Sequence, residues 1–213
     1  TAWSDVVGDV YSVLSIEKAA AGSDVRSFLL HGPSGVGKTT VARLIAASRG
    51  VDGPDLIEFD AASRSGVGDV RQLTDLTRTR GLNGKGNRCI ILDECHRLSA
   101  QAWDALLKTV EDCPEWVTFV FCTTEPGKVP KTVKTRCASF EMPTITRSEL
   151  TKLLRTVCDG EGIQITAKVA GALVDKAFGS PRAMLAALTT IPGGDEDSQL
   201  RTLDSWAQKS TEA

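Results

Sequence analysis

The sequence predicts an α/β fold, a parallel sheet with helices on both faces, followed by a small all-helical domain. Four short apolar runs, at residues 27–31, 56–59, 89–92 and 117–122, have the length and composition of buried strands. Helical patterns lie between them, and strands that alternate with helices favour a parallel sheet. A glycine-rich loop follows the first run and leads into a helical pattern at residues 39–47.

The composition is that of a folded globular protein. Of 213 residues, 41% are apolar and 24% are charged, which excludes a disordered chain. Lys and Arg number 25 against 27 Asp and Glu, so the net charge of −2 excludes a protein that coats nucleic acid by bulk positive charge. No apolar stretch approaches the roughly 18 residues that cross a bilayer, and residues 1–5 lack the features of a signal peptide. We therefore expect a cytoplasmic protein with no membrane partner.

The pattern changes near residue 143. All the predicted strands precede it, and the segments that follow have helical patterns. These helical patterns cover residues 147–158, 167–177 and 181–189. We predict an α/β core at 1–142, a helical domain at 143–192 and a linker or tail at 193–213, whose last residues have the pattern of one exposed helix.

A phosphate-binding loop is the strongest signal in the chain. Its residues are Gly32, Pro33, Ser34, Gly35, Val36, Gly37, Lys38 and Thr39, which fit G-x-x-x-x-G-K-[ST] in full, and Thr40 follows them. Glycines let successive backbone N–H groups point at phosphate oxygens, and the helix that begins there presents its positive dipole end. We expect Lys38 to contact the β- and γ-phosphates of ATP and the Thr39 hydroxyl to bind Mg²⁺. The alternative is a glycine-rich turn with a chance lysine.

Two carboxylates follow the third apolar run. Asp93 and Glu94 come directly after residues 89–92, at the strand end where open α/β sheets bind their ligands. Asp93 is expected to hold Mg²⁺ through its water shell, and Glu94 to orient or deprotonate the water that attacks the γ-phosphate. The alternative is an acidic pair at the surface. Because hydrolysis needs such groups in addition to the loop, the pair predicts an ATPase.

The remaining histidine and cysteine residues do not indicate a second reaction centre. His96 completes Asp-Glu-Cys-His, which also occurs in superfamily 2 helicases, but no second strand-rich unit follows it. We interpret His96 as a structural residue at the start of the next helix. Six cysteines are scattered without a C-x-x-C pair, and the chain has only two histidines, so the spacing predicts no zinc site.

Several further motifs, in a fixed order, resemble one family. They are Phe-Asp-Ala-Ala-Ser-Arg at 59–64, the segment 92–99, Ala-Leu-Leu-Lys-Thr-Val-Glu-Asp-Cys-Pro at 105–114, Thr-Thr-Glu-Pro at 123–126 and Thr-Arg-Cys at 135–137. Together they resemble the ATPase subunits of sliding-clamp loaders, above all the gamma/tau subunit of bacterial DNA polymerase III, and more distantly replication factor C small subunits and phage clamp loaders. The likeness extends from about residue 3 to about residue 187.

That resemblance implies an AAA+ core with a helical lid and gives roles to three further residues. Thr124, with Thr123 as the alternative register, matches the sensor 1 position near the γ-phosphate. Arg136 matches the arginine finger that acts in trans on the ATP of a neighbouring subunit. Arg182 matches sensor 2 on the lid, which contacts the γ-phosphate of its own subunit. For both arginines the alternative is a surface residue paired with a carboxylate.

The resemblance also has departures. Val6 and Val7 match the segment that packs on the adenine, although Asp9 stands where the family usually has Gln. The gamma/tau pattern includes a cysteine-rich zinc module, which residues 49–55 replace with a short connection, so no zinc is expected. Loader subunits usually carry a third, helical collar domain. We expect either a fragment that stops near the start of the collar, within 193–213, or a compact loader.

A basic stretch between residues 64 and 88 is a candidate DNA contact, with six cationic and two acidic side chains. Charge and helix N–H groups at the start of two helical patterns could bind phosphate oxygens without reading the base sequence. The candidate residues are Arg64, Ser65, Arg71, Ser99 and Gln101. The alternative is a solvated basic loop.

The predicted function is that of an ATP-dependent motor subunit that opens a ring-shaped sliding clamp and loads it on primer-template DNA during replication. Its cofactors would be ATP and Mg²⁺, and its partners the other loader subunits, the clamp and the DNA. One alternative is a subunit that holds ATP without hydrolysing it. The other is a different AAA+ DNA motor, such as a branch-migration motor or a helicase loader.

Overall fold

The computed structural model describes residues 2–82, 84–191 and 194–211. The chain divides into two compact units. Unit 1 comprises the residues up to Val6, Val10–Gly32 and Lys38–Met142, and unit 2 comprises Val7–Asp9, Pro33–Gly37 and the residues from Pro143 onward. Two short segments before residue 143, one of them the middle of the phosphate loop, thus cluster with the helices of unit 2.

Unit 1 is built on a five-stranded parallel sheet. Its strands are β1 Ser27–His31, β2 Leu56–Asp60, β3 Arg88–Asp93, β4 Val117–Thr123 and β5 Ala138–Glu141. They lie in the order β2-β3-β4-β1-β5, and every neighbouring pair is parallel. The apolar runs that predicted β1 to β4 are the strands themselves, extended by a residue at one or both ends in three cases. The predicted α/β fold with a parallel sheet is confirmed.

The sequence analysis misses β5 at the edge of this sheet. Its four residues alternate between half-buried and exposed, so they contain no apolar run. Residues 28–31 of β1 pair with β5 on one side while β4 occupies the other. The strand is therefore specified by its pairing with β1 rather than by its own composition.

Helices cover both faces of the sheet. Those of unit 1 are α1 Val10–Ala21, α2 Lys38–Ser48, α3 Val67–Leu76, α4 Ala100–Glu111 and α5 Lys131–Lys134, with short 3₁₀ turns at Trp3–Asp5, Gly53–Asp55, Cys95–Arg97 and Pro126–Lys128. Alternate strand residues, such as Ile90, Leu92 and Phe119, pack with α3, α4 and α5 in one core. Helix α2 packs against β1, β3 and β4, and the intervening residues, such as Ile91, are buried as well. Because side chains of a strand alternate between faces, these residues lie on the α2 side.

The described residues of unit 2 form helices and connecting segments, with no strand. Its helices are α6 Arg147–Glu161, α7 Ala167–Lys176, α8 Pro181–Thr190 and α9 Glu196–Thr211. The hydroxyls of Thr146, Thr166 and Ser180 accept hydrogen bonds from the first turns of α6, α7 and α8, which fixes where each helix begins. Buried residues from all four helices, including Leu203 of α9, form one core.

Helix α9 differs from the linker and exposed helix expected at 193–213. Leu203 is fully buried, and two ion pairs join α9 to α7. Lys168 lies 3.3 Å from Glu196, and Lys176 lies 2.8 Å from Asp204. Within the described part of the chain, no helix is both long enough and apolar enough to cross a membrane.

Candidate nucleotide site

The phosphate loop joins β1 to α2 and depends on its glycines. A Cβ at Gly32 would collide with the carbonyl oxygen of Met142. Gly35 has a φ of 76°, in the left-handed region, and a Cβ there would collide with Ser180 Oγ. Val36 is buried and anchors the loop, whereas Pro33 and Ser34 are exposed.

Lys38 and Thr39 begin α2 beside the ends of neighbouring strands. Lys38 is buried, and its Nζ donates a hydrogen bond of 2.9 Å to the Gly32 carbonyl oxygen. The Thr39 hydroxyl donates a 2.7 Å hydrogen bond to Asp93 Oδ2. The structure thus brings together the two side chains predicted to bind Mg²⁺, and Thr40 points away as an exposed residue.

Directly after β3, the backbone changes direction sharply at Glu94. Its φ of 47° and ψ of 39° place it in the left-handed region, which disfavours a residue with a Cβ by about 1–2 kcal/mol. Its backbone N–H donates to Asp93 Oδ1 at 2.9 Å. The Thr124 hydroxyl lies 3.4 Å from Glu94 Oε2 and donates to it.

Thr123 and Thr124, the two register alternatives, have different environments. Thr123 is fully buried within β4, and its Oγ1 accepts a 3.0 Å hydrogen bond from the Glu125 N–H. Thr124 follows the strand and contacts Glu94. The geometry therefore favours Thr124 as the residue beside the candidate catalytic carboxylate.

His96 lies in the 3₁₀ turn Cys95–Arg97 and not at the start of α4, where it was expected. Helix α4 begins at Ala100, with Ser99 as its N-cap. The ring is 6% exposed and contacts Thr123 and two carboxylates. The sequence analysis does not predict these contacts of His96, because the residues involved lie at or after the ends of two different strands, β3 and β4.

Arg136 follows α5 and is paired within its own chain. Its Nη2 lies 2.7 Å from Glu111 Oε1, and its Nη1 donates a 2.8 Å hydrogen bond to the Thr132 carbonyl oxygen. This is the carboxylate pairing named as the alternative to a trans-acting finger. Glu111, at the end of α4, lies in the motif at 105–114, but nothing in that motif marks it as the partner of Arg136.

Within unit 2, Arg182 lies beside the phosphate loop. Its backbone N–H is 3.4 Å from the Gly35 carbonyl oxygen, and its side chain is exposed. Val7 packs against the core of unit 2, whereas Val6 is a half-buried residue of unit 1.

Comparisons with known proteins agree with these motifs. Residues 51–146 match the family model described as DNA polymerase III, delta subunit. The gamma/tau subunit of DNA polymerase III from Mycoplasma pneumoniae is 32% identical over 225 residues, covering 96% of this chain and 33% of that protein. The gamma/tau subunit from Mycobacterium tuberculosis H37Rv is 31% identical over 222 residues, covering 93% of this chain and 38% of that protein. The chain is a relative of the bacterial gamma/tau subunits.

This gamma/tau relative spans about a third of the length of those proteins. Its fold is also that of solved structures of RuvB from Thermotoga maritima. One, described as a Holliday junction branch migration motor, has a TM-score of 0.76 at 22% identity, covering 93% of this chain and 70% of that one. The comparisons confirm the resemblance that the motifs predict.

The DNA-contact candidates of this gamma/tau relative lie in unit 1 and differ in environment. Arg64, Arg71 and Gln101 are exposed, and the Arg64 guanidinium lies 5.8 Å from the Phe59 ring centroid. The Ser99 N–H donates to the Ser65 carbonyl oxygen at 3.2 Å, so the two loops adjoin. The Ser99 hydroxyl accepts from the Ala102 N–H and thereby caps α4.

Three other cationic side chains of the basic stretch have partners within the chain. Arg88 is buried, lies 3.5 Å from Asp55 and donates to the Leu76 carbonyl oxygen. Arg80 lies over the Trp116 ring at 4.8 Å, and Arg78 pairs with Asp75.

The cysteines are free thiols. Burial raises the pKa of Cys89 to about 12, and it also raises the pKa of Cys95 and Cys122, which flank the carboxylate pair in space. They stay protonated at neutral pH and are not nucleophiles. Among the described residues, no group of three or more His, Cys, Asp or Glu side chains could hold a metal ion, and the expectation of no zinc stays a prediction.

Proposed function

We propose that this chain is an ATP-hydrolysing motor subunit of a sliding-clamp loader, which opens a ring-shaped clamp and loads it on primer-template DNA during replication. The observation that carries the proposal is the arrangement at the ends of β3 and β4. Thr39 lies 2.7 Å from Asp93, and Thr124 lies 3.4 Å from Glu94. Similarity to gamma/tau subunits of DNA polymerase III supports the role in replication.

The residues fit ATP with Mg²⁺. Magnesium prefers oxygen ligands, and a hydroxyl and a carboxylate oxygen already lie in contact at Thr39 and Asp93. The Lys38 ammonium would exchange its bond to the Gly32 carbonyl for phosphate oxygens, as the lysine of a phosphate loop does. The bound ion would neutralise charge on the phosphates. Val6 and Val7 would pack on the adenine.

Glu94 and Thr124 would act on the attacking water. The Glu94 side chain is one-third exposed, so water can reach its carboxylate. Thr124 holds one carboxylate oxygen, which leaves the carboxylate oriented to accept a hydrogen bond or a proton from water. This division of roles suits phosphoryl transfer, in which positioning and charge stabilisation provide most of the catalysis.

Two arginines would complete the site. We propose residues 1–142 as the AAA+ core and 143–192 as the lid, with Arg182 at the start of α8 contacting the γ-phosphate. Arg136 would leave Glu111 and enter the ATP site of a neighbouring subunit, so that hydrolysis depends on assembly. The other loader subunits, the clamp and primed DNA are the partners that this role requires.

The alternatives have less support. A subunit that only holds ATP has no chemical use for Glu94 in its constrained conformation beside Thr124. A branch-migration motor has support from the RuvB structures only, and at 20–22% identity that likeness concerns the fold.

Two substitutions in the full-length protein test the proposal. Lys38→Ala should abolish binding of a fluorescent ATP analogue, because the loop loses its phosphate-binding cation. Glu94→Gln should bind the analogue normally and hydrolyse ATP at least ~10²-fold more slowly. Glu115→Gln, at an exposed position, is the matched control and should behave as wild type. Unchanged turnover in Glu94→Gln would remove Glu94 from the mechanism.

The proposed DNA contact has its own test. Reversing Arg64 and Arg71 to Glu should weaken binding to primed DNA in low salt, because each loses a contact with phosphate oxygens. Reversing Arg78, which is already paired with Asp75, is the control. Equal affinity of the double variant and the wild type would favour the solvated basic loop.

A further inference from the structure

The ring of His96 lies between two carboxylates at the edge of the candidate site. Its Nδ1 is 3.4 Å from Glu94 Oε2, and its Nε2 is 3.3 Å from Glu125 Oε1. Nδ1 also lies 3.1 Å from Thr123 Oγ1. With only 6% of its side chain exposed, the ring has little freedom to leave these partners.

Thr123 and Glu125 fix the ring. The Thr123 hydroxyl belongs to a strand residue that is fully buried, and it also accepts a hydrogen bond from the Glu125 N–H. The Glu125 carboxylate is held by Lys128 at 2.8 Å, and this hydrogen bond keeps the pKa of Glu125 below its ordinary value. Glu125 is therefore ionised at neutral pH, and its Oε1 lies 3.3 Å from His96 Nε2.

The two ring nitrogens of His96 have different partners, Glu94 and Thr123 for Nδ1 and Glu125 for Nε2. A carboxylate only accepts hydrogen bonds, so a contact between Nδ1 and Glu94 Oε2 requires a hydrogen on Nδ1. The same oxygen accepts from Thr124. Glu94 Oε2 thus lies 3.4 Å from each of two donors, His96 Nδ1 in the 3₁₀ turn that follows Glu94 and the Thr124 hydroxyl after β4.

We propose that His96 is a positioning residue for Glu94. Its Nδ1–H restrains Glu94 Oε2 and thereby sets the direction in which the carboxylate meets the attacking water. The backbone of Glu94 is in the left-handed region and its side chain is one-third exposed, so without this restraint the carboxylate would sample several rotamers. The inference deepens the proposed ATPase function and rests on it.

The proposal predicts a loss in turnover without a loss in nucleotide binding. In the full-length protein in its assembled complex, His96→Ala should lower kcat by about 10-fold or more, because a misplaced catalytic group reacts slowly. The KM for ATP and the affinity for a fluorescent ATP analogue should stay at wild-type values, since no contact with the phosphate loop is lost.

Two conservative variants separate the ring nitrogens. Asn places an amide N–H near the position of Nδ1, and Gln places one near the position of Nε2. His96→Asn should recover most of the turnover, whereas His96→Gln should recover little. Glu115→Gln, at an exposed position outside this group of contacts, is the control and should keep near wild-type kcat.

The double variant completes the test. In a Glu94→Gln background, His96→Ala should add no further loss, because both changes act on the same group. Wild-type kcat in His96→Ala, or equal loss of kcat and thermal stability in the Ala, Asn and Gln variants, would overturn the inference. If Glu94→Gln loses turnover while His96→Ala keeps it, the ATPase proposal stands and only the role of His96 falls.

Discussion

Arg136 has a partner in the structure, Glu111, and a second in the proposed mechanism, the ATP of a neighbouring subunit. In the structure it pairs with Glu111, and both side chains are more than one-third exposed. Ion pairs with this exposure contribute about 0–1 kcal/mol, so little free energy opposes their exchange for a phosphate. The pair can hold the guanidinium in a defined place before assembly without preventing its use in trans.

Complementation between variants tests this role of Arg136. Arg136→Ala and Lys38→Ala should each have little ATPase activity when assembled alone. A mixture should recover part of it, because a site with intact Lys38 then receives Arg136 from its neighbour. The measurement is steady-state phosphate release. As a control, Lys134→Ala, which removes a nearby cation, takes the place of Arg136→Ala in the mixture. No recovery in the mixture would contradict action in trans.

The roles of some side chains in the site can be predicted from the sequence, and the roles of others cannot. Lys38, Thr39, Asp93 and Glu94 follow from local motifs, since a loop or a strand end carries all the required chemistry. The roles of His96 and Glu111 do not, because the contacts that fix them include Thr123, Glu125 and Arg136, which lie on other elements far along the chain. Such contacts exist only after the sheet has set the register of its strands.

At the scale of elements, the phosphate loop and α8 approach each other closely. The carbonyl oxygen of Gly35 accepts from the Arg182 N–H, and Ser180 lies where a Cβ of residue 35 would be. A glycine in this loop thus has a packing role in unit 2 besides its role in the backbone conformation.

Gly35→Ala and Gly37→Ala separate these two roles. Both glycines have positive φ, so both substitutions introduce backbone strain of about 1–2 kcal/mol. A Cβ at Gly37 meets nothing within 4 Å, whereas one at Gly35 collides with Ser180. Hydrogen exchange without nucleotide should therefore accelerate in the first turn of α8 for Gly35→Ala only. Equal exchange in the two variants would argue against the contact.

Helix α9 is the element that the sequence describes least well. Its first residues have a linker composition, and its single fully buried residue among those described, Leu203, carries no periodic signal. Packing of Leu203 in the core of unit 2 holds the helix, and Lys168 and Lys176 of α7 add ion pairs to it. Strand β5 was missed for the same reason, since a neighbouring element specifies it.

Leu203→Ala tests the packing of α9. Removal of a fully buried leucine side chain should lower the free energy of unfolding of unit 2 by about 2–4 kcal/mol. Faster hydrogen exchange in peptides from α7 and α9 would report it. Arg201→Ala, at an exposed position of the same helix, should leave exchange unchanged. Normal protection in Leu203→Ala would mean that α9 does not pack as described.

At the scale of the whole molecule, this chain would act together with partners. It spans about a third of its gamma/tau relatives, and the arginine finger would act on another subunit. A net charge of −2 leaves DNA contact to a few exposed side chains. Turnover should therefore respond to assembly and to the partners of the complex.

Steady-state ATP hydrolysis by the assembled full-length protein, with and without primed DNA and a sliding clamp, tests the central claim most directly. We predict that DNA and clamp together stimulate hydrolysis and that Glu94→Gln abolishes the stimulated rate. Absence of turnover in every combination, or a stimulated rate that Glu94→Gln leaves intact, would contradict the account.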